Sequence, residues 1–459
     1  MTIEMANSVL DLIGNTPMVR VNHLDTGPCE LYLKLESQNP GGSIKDRIAL
    51  AMVNAAERDG HLKPDGVLVE ATAGNTGLGL ALIAAQKGYR LILVIPDKMS
   101  QEKIYHLKAL GADVVMTRSD VEKGHPEYYQ DKAKRIADET PGAFYVNQFE
   151  NPNNPITHEM TTAPEIWQQM DGQIDAIICG VGSGGTLTGM GRYFKRQNPA
   201  IEMVLADPKG SILAPYVQHG VIVPCGSWVV EGIGEDFIPD NCDLSLVDHA
   251  YTIADDESIT TARLVLEKEG VLCGSSSGTL IAAALRYCQE QKTKKRVVTL
   301  VCDSGNKYLS KIFNPYWLDD HGFVAHEETH DLRDIVARPF LQGEVIFTKP
   351  EETLLSVYNQ MKSHGISQVP VMARNELLGI IDETDVLLAV MGNQAGFNIA
   401  VRDAMKKKLD KIAYDRPMTD LLQIFERGHV ACVMDDDHFI GLITRIDFLN
   451  YLRKRTAQA

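Results

Sequence analysis

A lysine in a glycine-rich turn is the first residue whose setting predicts chemistry. The turn spans residues 39–47 and places Lys45 in the first turn of the helix that follows. The positive end of a helix and partial burial both lower the pKa of an amine, which favours the neutral form that attacks a carbonyl. Lys45 is therefore a candidate nucleophile, and a solvated surface lysine is the alternative.

Two other turns rich in glycine and hydroxyl side chains also join a predicted strand to a predicted helix. Residues 70–77 place Thr72, Asn75 and Thr76 at a helix N-terminus, where free N–H groups hold a carboxylate or a phosphate. Residues 273–278 form a similar turn. The alternatives are a tight strand-to-helix connection for the first turn and simple N-capping for the second.

The turn at residues 180–186 has two interpretations. Its glycines fit the G-x-G-x-x-G fingerprint of dinucleotide-binding folds, and Asp207 ends the next predicted strand, where a ribose-binding acid would lie. The same backbone, with the hydroxyls of Ser183 and Thr186, can instead form a nest for one phosphate monoester. No Gly-Lys-Ser/Thr follows, so a P-loop triphosphatase is excluded. Together with Lys45, the turns fit an aldehyde-bearing phosphate cofactor, pyridoxal phosphate, better than a dinucleotide.

The elements that must position these turns alternate between short β-branched runs and longer amphipathic segments. Such alternation predicts an α/β fold with parallel sheets and helices on both faces, which bind ligands at the carboxyl ends of their strands. The predicted strands are residues 67–70, 91–95, 113–117, 176–180, 203–207 and 297–302, and the clearest predicted helices are residues 104–110 and 187–194.

The length and the charge of the chain exclude several classes of protein. Its 459 residues predict two to four domains, and no apolar stretch is long enough to span a membrane. The net charge of −16 argues against non-specific binding to nucleic acid. The acidic start lacks the features of a secretory or mitochondrial leader, so the sequence predicts a cytoplasmic protein. The eight scattered cysteines predict reduced, mostly buried thiols and no metal site.

A duplicated unit of about sixty residues follows the α/β region. Residues 369–372 and 379–385 recur as residues 431–434 and 441–447, and both pieces are displaced by 62 positions. A constant offset over two separate blocks identifies an internal repeat. The segment at residues 318–329 precedes the repeat and is polar without periodicity, which is typical of a linker.

Residues 7–323 resemble the cystathionine β-synthases, within the fold-type II pyridoxal phosphate family that includes cysteine synthase. The C-terminal repeat resembles a tandem pair of CBS domains. The matching motifs lie, in order, at residues 13–20, 42–47, 74–77, 96–100, 147–149, 182–186, 231–234 and 276–278. The resemblance implies a fold-type II catalytic domain of two open α/β lobes and a tandem CBS module, with boundaries at 1–323 for the catalytic domain, 324–332 for a linker, 333–392 for the first CBS domain and 398–456 for the second.

The resemblance also implies a role for each matching residue. Lys45 would form the covalent link to the cofactor and move a proton at the substrate Cα, and Asn75 would hydrogen-bond the ring hydroxyl. Ser276 would face the pyridine nitrogen, where a hydroxyl leaves the ring largely unprotonated and favours β-elimination over transamination. The implied cofactor-binding residues are Lys45, Asn75, Gly182, Ser183, Gly184, Gly185, Thr186 and Ser276, and the implied substrate-binding residues are Thr72, Ala73, Gly74, Thr76, Gln148 and Glu235.

The implied reaction is a β-replacement that condenses L-serine, or an activated serine, with L-homocysteine to give L-cystathionine, in transsulfuration and cysteine biosynthesis. Production of hydrogen sulfide is a further implied activity. The alternative is an O-acetylserine-dependent cysteine synthase, which uses sulfide as the acceptor.

Three features depart from the better-known relatives. Ala73 replaces a serine, and Glu235 stands where vertebrate enzymes have tyrosine. The Glu235 carboxylate either contacts a substrate amine or faces solvent. The haem-binding N-terminal extension of the vertebrate enzymes is missing from the sequence, so no haem is expected.

In the CBS pair, the resemblance implies that Asp447 accepts from ribose hydroxyls and that Thr444 meets phosphate or a polar neighbour. In the first copy Asp385 could also hold ribose, but Asp382 adds a negative charge where phosphate would lie. This asymmetry favours a single site and S-adenosylmethionine, a cation, over ATP, although another adenine nucleotide also fits. The alternative is a dimerisation module without a ligand. A homodimer or higher homo-oligomer is expected, with no nucleic acid or membrane partner.

Overall fold

The computed structural model divides the chain into two compact units, Met1–Asn314 and Pro315–Ala459. None of the helices in the described part of the chain combines the length and the apolar composition that a bilayer crossing requires. All eight cysteines are described, all are free, and five are buried, as the sequence predicts. The structure describes residues 5–458 except 73, 98–100, 122–123, 325–328, 341–344 and 392–394.

The first unit alternates strands and helices. Its strands are β1 (Met18–Arg20), β2 (Glu30–Lys34), β3 (Val67–Ala71), β4 (Arg90–Pro96), β5 (Asp113–Thr117), β6 (Ala143–Tyr145), β7 (Ala176–Cys179), β8 (Glu202–Pro208), β9 (His249–Ile253) and β10 (Arg296–Leu300). Its helices are α1 (Lys45–Arg58), α2 (Asn75–Lys87), α3 (Gln101–Ala109), α4 (Tyr129–Glu139), α5 (Asn153–Thr157), α6 (Ala163–Gln169), α7 (Gly185–Gln197), α8 (Leu213–His219), α9 (Asp255–Glu269) and α10 (Ser275–Glu290). A π-helical segment, His158–Thr162, joins α5 to α6.

These strands form two sheets, which correspond to the two expected α/β lobes. The smaller sheet has the order β5-β4-β3-β6 and is parallel throughout. The larger has the order β1-β2-β10-β7-β8-β9, in which the edge strand β1 is antiparallel to β2 and the other pairs are parallel. Every residue of β3 and β7 is buried, as expected where helices cover both faces of a sheet. The predicted α/β class is confirmed.

The core of the smaller lobe brings the N-termini of α1 and α2 together. Side chains from both helices, among them Ile48, Met52 and Leu80, pack with residues of β3 and β4. The helices approach closely because α2 has a glycine at the crossing, since a Cβ on Gly79 would lie 3.2 Å from the carbonyl oxygen of Lys45. This close approach sets the start of α1 beside the start of α2.

All six predicted strands are present, as β3, β4, β5, β7, β8 and β10, and each end lies within two residues of its predicted position. The two helices predicted most clearly correspond to α3 and α7. The strands β1, β2, β6 and β9 were not predicted. Two of them have only three residues, too few to show an alternating pattern.

The second unit contains two small sheets. Its strands are β11 (Gln368–Ala373), β12 (Glu376–Asp382), β13 (Asp410–Ala413), β14 (Ala431–Asp435) and β15 (His438–Ile443). Its helices are α11 (Pro315–Asp320), α12 (Leu354–His364), α13 (Glu383–Met391), α14 (Val401–Ala404), α15 (Asp420–Glu426) and α16 (Arg445–Gln458). One sheet pairs β11 with β12, and the other has the order β13-β14-β15.

The predicted repeat is visible in this unit at the predicted offset. The hairpin β11-β12 has a register shift between Val371 and Met372, and the hairpin β14-β15 has one between Val433 and Met434, 62 positions later. Each hairpin leads directly into a helix, α13 or α16. The duplicated unit is confirmed.

The segment before the first repeat packs with the second one. Leu332, Ile335 and Val336 are buried in the same cluster as residues of α15, β14 and β15. The helix α11 also belongs to this unit, and the Arg338 guanidinium lies 4.5 Å from the centre of the Tyr316 ring. The first compact unit therefore ends at Asn314, whereas the sequence places the end of the catalytic domain at residue 323.

Candidate active site

A cavity of about 260 Å³ lies in the first unit at the carboxyl ends of β3, β7 and β10. This is the edge of the sheets where the sequence predicts ligand binding. The predicted residues that line it are Lys45, Thr72, Gly74, Asn75, Thr76, Gln148, Gly182, Ser183, Gly184, Gly185, Thr186, Glu235 and Ser276. Ala73 lies outside the described residues. The cavity thus unites the described residues that the sequence assigns to the cofactor and the substrate.

Lys45 is the first residue of α1, as predicted from the turn before it. Its backbone N–H donates to the hydroxyl of Ser43, and the N–H of Ile44 donates to the carbonyl of Cys302 in the cavity wall. Loss of hydration lowers the pKa of the Lys45 amine, and the nearby Cys302 and Glu235 only partly oppose this effect. The site therefore favours the neutral amine that a carbonyl-attacking lysine requires.

The helix that begins at Lys45 is anchored by a buried ionic network. The Arg47 guanidinium donates to Glu36 and to Glu165 at 2.7 Å each, and the Lys34 ammonium donates to Glu165 at 2.9 Å. Although burial opposes it, these cations lower the pKa of Glu165 to about 2. The Thr16 hydroxyl completes the network with Glu36. Thr16 and Arg47, which belong to the matching motifs, thus stabilise the fold behind the site and do not line the cavity.

Asn75 begins α2 and lies between two charged groups. Its Nδ2 donates to Asp303 at 2.8 Å, and its Oδ1 accepts from the Lys307 ammonium at 2.7 Å. Neither Asp303 nor Lys307 was predicted from the sequence. Both lie within seven residues of the end of β10, so their position after a strand that ends at the cavity is the signal that could have identified them.

The turn before α7 forms a cradle that requires glycine. Gly184 has φ of +83°, a left-handed conformation that other residues adopt at a cost, and a Cβ on Gly182 would lie 2.6 Å from the carbonyl oxygen of Gly232. The Asn154 amide donates to the Ser183 hydroxyl at 2.9 Å. The first N–H groups of α7 have no partner within the helix, so this turn is suited to bind an anion.

The cradle also contains the hydroxyl of Thr186, which a buried histidine, His158, orients. Burial, with the charges of Lys45 and Arg47, lowers the pKa of His158 well below its ordinary value, so its ring is neutral. The hydroxyl of Thr162 is buried and lies 2.9 Å from His158 Nδ1. Among the described residues Nδ1 is the one hydrogen-bond partner of this hydroxyl, so the hydroxyl donates its proton to Nδ1. The ring proton then lies on Nε2 and is donated to Thr186 Oγ1 at 3.2 Å, which leaves the Thr186 hydroxyl proton free to point into the cavity.

The residues assigned to the substrate form a second polar group. The Thr76 hydroxyl donates to Gln148 Oε1 at 2.6 Å, and the N–H of Gly74 donates to the Thr72 hydroxyl at 3.1 Å. The backbone N–H of Gln148 donates to Glu70, whose pKa burial raises to about 7. Glu70 is fully enclosed, so its contact positions Gln148 from behind the cavity wall.

Glu235 lies in the cavity wall. Burial, together with the charges of Asp236 and Asp207, raises the pKa of Glu235 to about 8, although Lys45 opposes the shift. Its backbone N–H donates to the Ser211 hydroxyl, while the described residues offer its carboxylate no hydrogen-bond partner. A largely buried carboxylate without a partner is available to a ligand in the cavity.

The donors of the cavity fit pyridoxal phosphate. Lys45 provides an amine for the aldehyde, and Asn75 an amide for the ring hydroxyl. Ser276, in the first turn of α10, provides a hydroxyl for the pyridine nitrogen. The glycine cradle, with two hydroxyls, provides neutral donors for a phosphate. No group of three or more acidic, histidine or cysteine side chains suited to a metal ion occurs among the described residues.

Two family models match this chain. The model described as pyridoxal-phosphate dependent enzyme matches residues 9–303, and the CBS domain model matches residues 332–392 and 401–454. Curated cystathionine beta-synthases match nearly the whole chain. The one from Dictyostelium discoideum is 37% identical over 98% of this chain and 92% of its own, and the one from Saccharomyces cerevisiae is 33% identical over 98% of both chains. The chain belongs to the cystathionine beta-synthase family.

Solved structures similar to this member of the family confirm its fold-type II architecture. A hydrogen sulfide-producing enzyme from Fusobacterium nucleatum has a TM-score of 0.61 and 40% identity, and covers 67% of this chain and 99% of its own. O-ureido-L-serine synthase has a TM-score of 0.64 and 32% identity, and covers 71% of this chain and 98% of its own. Membership in the cystathionine beta-synthase family also confirms pyridoxal phosphate as the cofactor.

The dinucleotide interpretation of the glycine turn is wrong for this member of the family. Asp207, the candidate ribose-binding acid, is fully buried and does not line the cavity. Its Oδ2 accepts from the N–H of Ala214 at 2.8 Å, so it stabilises the start of α8. The G-x-G-x-x-G spacing is present, but Asp207, the acid that would bind ribose in a dinucleotide fold, has a structural role.

The CBS pair of the second unit contains its own cavity, of about 430 Å³. Thr444 and Asp447 line it, and the Thr444 hydroxyl donates to Asp447 at 2.6 Å. Asp385 does not line this cavity. It lies 3.1 Å from the Lys406 ammonium, which also contacts Asp382 at 2.6 Å. The sequence predicts an extra negative charge in the first copy, and the structure adds that Asp382 and Asp385 share one lysine, which offsets part of that charge.

Proposed function

We propose that this protein catalyses the pyridoxal phosphate-dependent β-replacement that forms L-cystathionine from L-homocysteine and L-serine or an activated serine. The observation that supports this most strongly is the match to cystathionine beta-synthases over both units of the chain, together with a cavity that unites the residues which the reaction needs. The same reaction with cysteine as the donor of the three-carbon unit releases hydrogen sulfide.

Lys45 performs the central chemistry in this proposal. The bound cofactor supplies an electron-withdrawing ring that acidifies the substrate Cα–H. The buried Lys45 amine would form the link to the cofactor, would give way to the substrate amine, and would then remove the proton at Cα and later return it. Its lowered pKa suits this task, because a general base must be neutral when it takes the proton.

The other cavity residues bind and orient the reactants. The turn at Gly182–Thr186 holds the cofactor phosphate, Asn75 the ring hydroxyl and Ser276 the pyridine nitrogen. Thr72, Gly74, Thr76 and Gln148 hold the substrate α-carboxylate, which suits the hydroxyl and amide donors and the helix N-terminus that they surround. Ala73 belongs to the same loop in sequence and is assigned to the same group.

Glu235 selects the second substrate in this proposal. A carboxylate in the cavity wall near Lys45 suits the ammonium group of homocysteine, whereas sulfide has no such group. This contact would favour cystathionine formation over cysteine formation. The hydrogen sulfide-producing and O-ureidoserine-forming relatives show that the catalytic architecture is shared among enzymes with different products.

The second unit binds one adenosyl ligand in the cavity beside Asp447. The Asp447 Oδ1 oxygen is left for a ribose hydroxyl, because the described contacts to Thr444 use Oδ2. S-adenosylmethionine or an adenine nucleotide is the ligand we assign to this cavity. Location in the cytoplasm and assembly into homodimers or larger homo-oligomers stay predictions.

Steady-state kinetics with two donors and two acceptors test the proposed reaction. Serine and O-acetylserine are each combined with homocysteine and with sulfide, and the products are identified by mass spectrometry. We expect the highest kcat/KM for homocysteine as acceptor. A clear preference for sulfide over homocysteine would instead support the O-acetylserine-dependent cysteine synthase.

A further inference from the structure

Two charged side chains outside the proposed reaction hold both ends of the Asn75 amide. Its Nδ2 donates to Asp303 Oδ2 at 2.8 Å, and its Oδ1 accepts from Lys307 Nζ at 2.7 Å. An ionised carboxylate only accepts hydrogen bonds and an ammonium only donates them. A flipped amide would face donor with donor and acceptor with acceptor, so the two contacts select one orientation.

The selected orientation leaves one N–H of Asn75 for a ligand. The amide nitrogen has two N–H groups, and Asp303 takes one of them. Asn75 lines the cavity, and among the described residues its second N–H has no partner. A flipped amide would present a carbonyl oxygen to the cavity, which would repel a negatively charged oxygen of the ligand.

Lys307 is itself fixed by the turn that precedes Lys45. Its ammonium donates to the carbonyl oxygens of Gly41 and Gly42 at 3.2 and 3.3 Å. With the Asn75 oxygen, these carbonyls satisfy the three N–H groups of the ammonium. Lys307 therefore connects the turn before α1 to the start of α2, and its position does not depend on the ligand.

Asp303 depends on Lys307 to select the amide orientation. Burial raises the pKa of Asp303, and the Lys307 charge is the largest opposing influence. The carboxylate is fully enclosed and also accepts from Tyr308 at 2.7 Å. Without the lysine it would gain a proton more readily, and a protonated carboxyl can both donate and accept. It would then no longer distinguish the two ends of the Asn75 amide.

We propose that Lys307 is a positioning residue that turns a free N–H of Asn75 towards the ring hydroxyl oxygen of bound pyridoxal phosphate. This inference rests on the proposed function, which places that cofactor in the cavity. A hydrogen bond to a charged oxygen contributes enough to change affinity about tenfold. Loss of Lys307 should therefore weaken cofactor binding about tenfold, and only through the ring hydroxyl.

The test compares two cofactors that differ in that hydroxyl. Full-length apo-protein is titrated with pyridoxal phosphate and with its 3-deoxy analogue, for the wild type, K307M and K311M. Lys311 is the matched control, because its ammonium contacts Glu231 at 2.6 Å and not Asn75. We expect K307M to bind pyridoxal phosphate about tenfold more weakly and the deoxy analogue as the wild type does. The absorption maximum of the bound cofactor should shift in K307M and not in K311M.

The design separates failure of this inference from failure of the proposed function. Equal losses for both cofactors in K307M would assign Lys307 a merely structural role and overturn the inference, as would an unchanged affinity for pyridoxal phosphate. Unaltered binding of the deoxy analogue shows that the variant is folded around an intact cavity. A wild-type protein that binds neither cofactor would contradict the proposed function itself.

Discussion

Replacement of Glu235 by glutamine should remove the preference for homocysteine in a pH-dependent way. The substitution keeps the shape of the side chain and removes its charge. Glu235 lies in the cavity wall, and burial with its acidic neighbours raises its pKa to about 8. A contact with the homocysteine ammonium needs the ionised carboxylate. The benefit of Glu235 should therefore be small at neutral pH and grow as the pH rises through 8.

The size of the effect follows from the ionised fraction. A carboxyl with a pKa of about 8 is roughly 3% ionised at pH 6.5 and half ionised at pH 8. A charge-assisted contact in a partly buried site contributes about tenfold when fully formed. The ratio of kcat/KM for homocysteine, wild type over E235Q, should then be near one at pH 6.5 and about fivefold at pH 8.

The assay uses this ratio because it cancels the ionisation of the homocysteine thiol, which is the same for both proteins. Sulfide has no ammonium group, so its ratio should stay near one across the same range. The D236N variant provides a second control. The Asp236 charge raises the pKa of Glu235, so its removal should move the midpoint of the homocysteine ratio below pH 8.

Two results would refute this reasoning. A homocysteine ratio that is constant between pH 6.5 and 8.5 would show that Glu235 makes no charged contact with the acceptor. An equal rise with sulfide would show that the glutamate acts on a step common to both acceptors. If the Glu235 carboxylate instead faces solvent, the homocysteine ratio should be constant with pH and D236N should not change it.

Three further predictions follow from the contacts of the two cavities. K45A should lose the visible absorbance of the bound cofactor and all turnover, and a coloured, active variant would remove Lys45 from the centre of the mechanism. T162V should weaken binding of pyridoxal phosphate about tenfold but not of pyridoxal, which lacks the phosphate. Loss of the Thr162 hydroxyl removes the donor to Nδ1 that keeps the ring proton of His158 on Nε2, so the Thr186 hydroxyl can donate to the ring in place of the phosphate. T162S should restore binding. D447N should abolish calorimetric binding of S-adenosylmethionine and AMP while D385N leaves it intact, and equal effects of the two would contradict a single site.

The cavity-lining positions of the side chains that lie on turns could be predicted from the sequence. Lys45, Asn75 and Ser276 each follow a recognisable glycine-rich turn, and strand-helix alternation places such turns at one edge of the sheets. The spacing along the chain therefore carried the three-dimensional information. The strands β3, β7 and β10 each end within two residues of their predicted ends, and the turns follow them.

The partners of those side chains could not be predicted in this way. Asp303 lies 228 positions from Asn75, and His158 lies 28 positions from Thr186. His158 also belongs to a π-helical segment, which the hydrophobic pattern of the sequence does not indicate. Contacts of this kind depend on how the lobes pack, and packing is not a property of any local pattern.

Asp207 shows why spacing along the sequence cannot by itself identify a ligand-binding residue, because the direction of the side chain determines what it contacts. It ends a strand at the expected distance from the glycine fingerprint, yet its carboxylate accepts from the N–H of Ala214 within the protein. A dinucleotide-binding acid must instead face the ligand. The fingerprint glycines keep their local purpose, since Gly184 adopts a left-handed conformation and Gly182 lies against another backbone segment. One local sequence pattern thus serves two cofactor classes, and the orientation of a single carboxylate distinguishes them.

The net charge and the CBS pair also show that the composition of a segment does not determine which groups meet in space. A chain with a net charge of −16 can still build a cradle suited to phosphate, because backbone N–H groups and neutral hydroxyls can hold an anion without any surplus of cations. In the second unit the sequence shows an extra acid at Asp382, which predicts repulsion of phosphate. The structure adds Lys406, which lowers the pKa of Asp382 although burial opposes it. Both acids of the first copy thus contact Lys406, and a ligand there would compete with the lysine for their carboxylates. That competition favours a single adenosyl site, beside Asp447.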